Sequence, residues 1–327
     1  MRALKIALLG AALIAAQPAT GAEKVKVSVS VIAGAFAMYF IAIDRGYFAE
    51  EDLDVEIVGA AGPTATAALM SGDLGFSSSG GAAVPAILRG APLKVVMVSN
   101  DRPPYQLWSG DDKIKTIDDL KGKRIGVIST GDTHEFALRL LFMSRGMDPN
   151  GFIYVPIGPG AGRMAGVSSG SLSAASITMD EAQQMQTDPK AHMVIDTSKF
   201  VKMINGGLAT SDKMMTSERG TAKKFMRGLI KGRRYVAAFE DEAVNAIAKR
   251  NAAMSREAIT DGLRISLATA TADGTIPEET QKLEISLRAT QLNLPPDKVA
   301  ELDKVFDFSL IKEVNRELDE KGWTPIR

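Results

Sequence analysis

The chain has 327 residues, 45% hydrophobic and 24% charged, with 39 basic against 39 acidic side chains and no cysteine. That length suits about two domains, and the apolar fraction excludes a disordered or collagen-like chain. Balanced charge argues against a nucleic-acid partner, and the lack of cysteine excludes disulfides, thiolate catalysis, cysteine-ligated zinc and a lipid anchor on an N-terminal cysteine.

The N-terminus reads as an export signal. Arg2 and Lys5 precede an apolar run over residues 6–16, Gln17-Pro18 breaks it, and Ala19-Thr20-Gly21-Ala22 offers small residues for cleavage before Glu23. A membrane span needs about 20 apolar residues, more than this run supplies. Residues 1–22 are therefore expected to be a cleaved signal peptide, with a freely diffusing mature protein in a periplasm.

Residues 25–31 alternate apolar and polar, the period of a half-buried strand. Residues 36–45 read as a short apolar helix closed by Gly46, and residues 53–58 as a second strand. Gly62-Pro63-Thr64 opens a helix that Gly72 closes; a short strand at 74–77, a helix from Ser78-Ser79-Gly80-Gly81 and a strand at 93–98 follow. Strands alternating with helices indicate parallel sheets with covered faces.

The unit then recurs. A strand at 124–128 leads through Ser129-Thr130-Gly131-Asp132-Thr133 into a helix ending at Ser144. Ser144-Arg145-Gly146 follows Asp44-Arg45-Gly46 by 100 residues, and Ser169-Gly170-Ser171-Leu172 follows Ser71-Gly72-Asp73-Leu74 by 98. From Ser217 onward the sequence reads as amphipathic helices without strands. We expect an α/β protein of two related lobes around a ligand cleft, joined by a two-stranded hinge. Lobe 1 takes residues 23–104 and 211–327, and lobe 2 takes residues 105–210.

Ligands of open α/β sheets bind beyond the carboxyl ends of the strands, at helix N-termini. The candidate ligand-binding residues there are Gly34, Gly62, Thr64, Ser78, Ser79, Gly80, Asn100, Thr130, Gly131, Asp132, Thr133, Thr178 and Asp180, with Phe36 and Tyr39 as possible stacking surfaces. Most of these residue types also serve as helix caps. Arg102 suits a carboxylate or sulfonate, whereas Asp132 and Asp180 favour an amine, which leaves solute charge open with a lean to the acid.

Enzyme signals are weak. Gly166-Val167-Ser168-Ser169-Gly170 matches a nucleophile elbow, but a helix precedes it and a strand follows, the reverse of what the elbow needs. Gly158-Pro159-Gly160-Ala161-Gly162 lacks the Gly-Lys-Ser/Thr of a phosphate loop. His134 and His192, the only histidines, show no metal-ligand spacing. No catalytic residue, metal or cofactor is expected.

Four stretches carry a family resemblance. Ala42-Ile43-Asp44-Arg45-Gly46-Tyr47-Phe48-Ala49-Glu50 with Leu53-Asp54-Val55-Glu56, Leu69-Met70-Ser71-Gly72-Asp73-Leu74, and Asp118-Asp119-Leu120-Lys121-Gly122-Lys123-Arg124-Ile125-Gly126-Val127 resemble periplasmic binding proteins for alkanesulfonates, taurine, nitrate and thiamine pyrimidine precursors; Phe306-Asp307-Phe308-Ser309 fits the same pattern. The resemblance implies a type II periplasmic-binding fold and a monomer that delivers a small-molecule solute to the permease subunits of an ABC importer. Gly75 and Ser173 stand where the family often has aspartate. The related thiamine-pyrimidine synthase depends on a cysteine-rich motif, which this chain lacks. A periplasmic sensing component and a secreted serine hydrolase are the alternatives.

Overall fold

The computed structural model describes residues 21–158 and 160–327, so residues 1–20 of the expected signal lie outside the described residues. The strands are β1 (Glu23–Val29), β2 (Leu53–Gly59), β3 (Phe76–Ser77), β4 (Leu93–Asn100), β5 (Tyr105–Ser109), β6 (Arg124–Val127), β7 (Ile153–Pro156), β8 (Ala174–Thr178), β9 (His192–Asp196) and β10 (Gly206–Ser211). They form two five-stranded sheets, ordered β2-β1-β3-β10-β4 and β7-β6-β8-β5-β9.

The alternation in β1 is a burial pattern. Val25, Val27 and Val29 are at most 4% exposed, and β1 pairs in parallel with β2 (Val27 opposite Ile57) and with β3 (Val27 opposite Phe76). Helices α1 (Ala37–Asp44), α2 (Gly62–Ser71) and α3 (Gly80–Leu88) follow β1, β2 and β3 in turn. Lobe 2 repeats the plan, with α4 (Thr133–Ser144), α5 (Gly160–Ser168) and α6 (Met179–Met185) after β6, β7 and β8. The sequence repeat appears in the backbone as matched left-handed glycines. Gly46 and Gly146 have φ of 72° and 69°, and Gly72 and Gly170 have 84° and 74°.

After β10 come α7 (Asp212–Met215), α8 (Arg219–Ala238), α9 (Glu240–Ala248), α10 (Arg256–Ala268), α11 (Glu278–Gln291), α12 (Leu302–Val305) and α13 (Ser309–Glu320). Most of this tail covers lobe 1. Phe225 of α8, for example, stacks on Phe76 with ring centroids 4.0 Å apart.

The chain crosses between lobes twice, and the crossings lie side by side: Met203 N donates to Asp101 O (2.8 Å) and Asn205 N to Asn100 O (3.0 Å). Each crossing feeds an antiparallel strand into a sheet, β5 between β8 and β9, and β10 between β3 and β4. The boundary expected at Thr210 falls inside β10, so the return to lobe 1 comes before Gly206. A Cβ at Gly207 would lie 2.6 Å from Met97 O, so glycine there serves close strand packing. Among the described residues, no helix is long and apolar enough to cross a membrane.

Candidate functional site

The strand ends of the two lobes form opposed rims that differ in their spare hydrogen-bonding capacity. In lobe 1 the short 3-10 turn Gly34–Phe36, α2 and α3 all begin without a side-chain bond from their own N-cap residue, the usual way of filling first-turn N–H groups. Ser79 Oγ accepts from Gly62 N (3.3 Å) and so ties the starts of α2 and α3 together. Ser78 donates its own N–H to Ser28 O (3.0 Å) but its buried hydroxyl has no partner. Thr64 is exposed on the first turn of α2, and Gly80 packs so tightly that a Cβ would lie 2.9 Å from Gly207 C.

In lobe 2 the corresponding groups are already occupied. Asp132 caps α4 by accepting from Glu135 N and from Ser129 N, each at 2.8 Å, and Gly131 N donates to Glu135 Oε2 (2.8 Å). Thr178 and Glu181 form a reciprocal capping box on α6. Thr130 and Thr133 are exposed, and Thr133 Oγ1 lies 2.8 Å from the Tyr105 hydroxyl. Exposed apolar side chains stand on both rims, Val31 in lobe 1 and Ile128 and Ile157 in lobe 2.

A buried polar cluster supports the lobe 2 rim. Arg163, 1% exposed, donates to Ser176 O (2.7 Å), His134 Nδ1 (3.1 Å) and Glu181 Oε2 (3.0 Å). A guanidinium only donates, so His134 Nδ1 carries no proton and the neutral ring holds it on Nε2. Burial, with Arg163 next, pushes His134 down to about 3. Gly160 belongs to this cluster, because the Glu181 carboxylate fills the space a Cβ of Gly160 would take.

A cavity of about 570 Å³ joins the lobes. Lobe 1 contributes the loop at Ala33, Gly34 and Ala35 and one face of α10; the first crossing contributes Pro104 and lobe 2 contributes Thr178. Gly34 allows the approach of α10, since a Cβ would lie 2.6 Å from Leu263 N. Met254 and Ile265 supply apolar wall, while Glu257 and Asp261, one helical turn apart, supply carboxylates. Neither acid has an ion-pair partner among the described residues, and no lysine, arginine or histidine lines the cavity. A larger groove of about 940 Å³ lies behind the hinge, between Asp101, Lys202 and Phe306. None of the rim residues lines that groove, so the inter-lobe cavity is the candidate site.

The NMT1/THI5-like family model matches residues 34–243. The chain belongs to that family. Riboflavin-binding protein RibY of Chloroflexus aurantiacus is 25% identical over 218 residues, which cover 64% of this chain. The chain spans about 60% of the length of that curated relative. Among solved structures, the periplasmic aliphatic sulphonate-binding protein SsuA from Escherichia coli superposes with a TM-score of 0.71 at 16% identity, over 87% of this chain and 97% of its own. The two α/β lobes thus have the fold of periplasmic binding proteins. A cysteine-to-serine variant of DszB, solved with biphenyl-2-sulfinic acid, shares the fold at a TM-score of 0.62 and 14% identity, over 90% of this chain and 99% of its own. DszB is a desulfurization enzyme.

Within this family member several predicted residues fall away from the cavity. Tyr39 is 1% exposed in the lobe 1 core and offers no stacking surface; only Phe36, half-buried beside it, retains an accessible face. Asn100 spends its amide on Ser266 O (2.7 Å) and Thr269 Oγ1 (3.0 Å), fastening α10 to the hinge. Arg102 lies on the first crossing with its guanidinium 3.5 Å from Asp101, so it pairs within the hinge. The Asp180 side chain lies outside the described residues. The elbow motif builds no triad: Ser168 Oγ donates to Asp188, while His192 Nε2 bonds Ile114 O at 2.6 Å. Sequence reasoning missed Arg163, Glu257 and Asp261, whose roles depend on which helix faces which sheet.

Proposed function

We propose that this protein is an exported solute-binding protein that traps a small organic molecule between its lobes and presents the closed form to an ABC importer. The observation that carries this reading is the cavity shared by both lobes, walled by the uncapped turn at Gly34 and by α10 on the lobe 1 side and by Thr178 on the lobe 2 side. Lobe closure would bury the solute and create the shape an importer recognises. The resemblance at 1–22 to a signal peptide, and the periplasmic sulphonate-binding relative, support an exported location.

Unlike the expectation built on Arg102, we take the solute to be neutral or cationic. An anion would face Glu257 and Asp261 with no cation lining the cavity, whereas a solute with carbonyl-type acceptors and N–H donors matches these walls: acceptors to the N–H groups of the uncapped turn at Gly34, donors to the carboxylates. The relative RibY is a riboflavin-binding protein, and riboflavin fits that chemistry. An enzymatic role of the DszB kind has less support, since this chain has no cysteine.

A thermal-shift screen of ligand-stripped mature protein tests the reading. Riboflavin, aminopyrimidines, aliphatic amines and alkanesulfonates would each be added; a solute at 100 times its Kd stabilises by about 2.7 kcal/mol. A response from the neutral or cationic classes, weakened by Glu257→Gln or Asp261→Asn, supports both parts. A response from sulfonates alone overturns the charge assignment and leaves the clamp. Silence from every class counts against the clamp.

A further inference from the structure

Helix α11 belongs to the lobe 1 tail by chain order, yet it serves both cores. Ile285 packs in the lobe 1 core, and Leu287, 3% exposed, packs in the lobe 2 core with Phe136 and Leu140. Flanking them in sequence lie two buried charges one turn apart, Glu284 before and Arg288 after. Glu284 is 1% exposed and receives the N–H of Ile204, on the second crossing, at 3.4 Å. Arg288 is 8% exposed, donates through Nε to Glu284 Oε1 at 3.1 Å, and places its guanidinium carbon 3.6 Å from the centroid of the Phe136 ring.

The contact with Phe136 matters because of where that ring sits. Phe136 is the fourth residue of α4, whose start carries Asp132 and Thr133 on the lobe 2 rim. A chain of direct contacts therefore runs from the hinge backbone at Ile204, through Glu284 and Arg288, to the base of the rim helix. A buried ion pair contributes little to stability against an apolar replacement, and its better-attested use is to specify one arrangement. A flat guanidinium on an aromatic face is directional in the same sense.

We propose that α11 is a third, non-covalent hinge element, in which Glu284 holds the second crossing and Arg288 holds α4 through Phe136, so that this pair sets the angle between the lobes. Solute affinity then depends on residues outside the cavity, because only the closing-competent fraction of the protein binds.

The absence of cysteine makes a direct test simple. Spin labels at Met70→Cys in lobe 1 and Met193→Cys in lobe 2, both on exposed positions, report the inter-lobe distance without any solute. Arg288→Gln and Phe136→Leu should shift or broaden that distance distribution. Arg288→Lys, which keeps the charge and loses the flat face, should fall between them and the parent. Phe142→Leu, which disturbs the lobe 2 stack on Phe152, should lower Tm and leave the distance unchanged. The proposal is overturned if Arg288→Gln and Phe136→Leu behave like Phe142→Leu. If Arg288→Gln does not fold, Arg288→Lys decides: faster amide exchange at Ile204 with an altered distance supports the pivot, and parental values for both reject it.

Discussion

His134 lies flat against Tyr105, with ring centroids 3.8 Å apart and planes 17° from parallel. Tyr105 opens the strand that enters lobe 2, and its hydroxyl reaches Thr133 Oγ1 (2.8 Å) and Asn205 Oδ1 (3.4 Å). The pair thus joins the hinge to the rim loop through one stacked contact and two polar ones. Burial pushes Tyr105 up to about 12, so its hydroxyl stays a neutral donor or acceptor.

The same burial makes stability pH-dependent. His134 is held near 3 in the folded chain against an ordinary value of 6.5, so between those values the unfolded chain binds a proton that the folded one refuses. Stability should therefore fall as pH drops below about 6.5, by about 2 kcal/mol between pH 7 and pH 5. His134→Gln should lose that share of the acid limb. Thermal melts of parent and variant across pH 4.5 to 7.5 would show it; parallel curves would reject it.

Arg163 should be costly to remove. Arg163→Met takes the donor from Ser176 O and leaves the part-exposed Glu181 carboxylate only its bond from Thr178 N, and should destabilise by about 1–3 kcal/mol. Adding Glu181→Gln removes the unpaired charge and should recover part of the loss. Urea unfolding of the two single variants and the double variant measures both the cost and the coupling; strict additivity would mean that the ion pair is not the source.

Gly34→Ala tests the seat of α10. The new methyl would lie 2.6 Å from Leu263 N and 2.9 Å from Ile259 O, both backbone atoms, so the helix must move. Overpacking of this kind costs about 1–3 kcal/mol. Because α10 carries Glu257 and Asp261, solute affinity should fall as well, as titration with a hit from the screen would reveal.

Two adjacent serines should differ in their effect on stability. Ser78 Oγ is buried without a partner, so Ser78→Ala should leave Tm unchanged or raise it. Ser79→Ala removes the acceptor of Gly62 N and should cost about 1 kcal/mol. Thermal melts of the two variants would distinguish them; an equal loss from both would mean that the Ser79 bond to Gly62 is not the source.

What the sequence disclosed followed the local signals. The alternation in β1 was legible because one set of its side chains is buried, and Gly46 and Gly146 marked helix ends because both adopt left-handed φ. Tyr39 was not assignable, since α1 is apolar on every side and shows no preferred face. Arg163 and Glu181 sit 18 residues apart on separate helices, and no periodicity announces that a surface-type residue will be buried. The tail helices gave the same difficulty: their periodicity showed that α10 and α11 pack on something, but not that one walls the cavity and the other enters the second core.

The position of β10 also has a consequence for the order of folding. It lies inside the lobe 1 sheet, between β3 and β4, and it is made only after every strand of lobe 2. Emerging residues up to Asn100 therefore have a gap between β3 and β4, while the strands of lobe 2 come from one uninterrupted stretch. The lobe 2 sheet can form as that stretch emerges, in keeping with domains folding as units, and its core is completed only when α11 adds Leu287 and Arg288. Lobe 1 must wait for Ser211, with its β3 and β4 edges open in the interval, so the first half of the chain is the part most dependent on protection before assembly is complete.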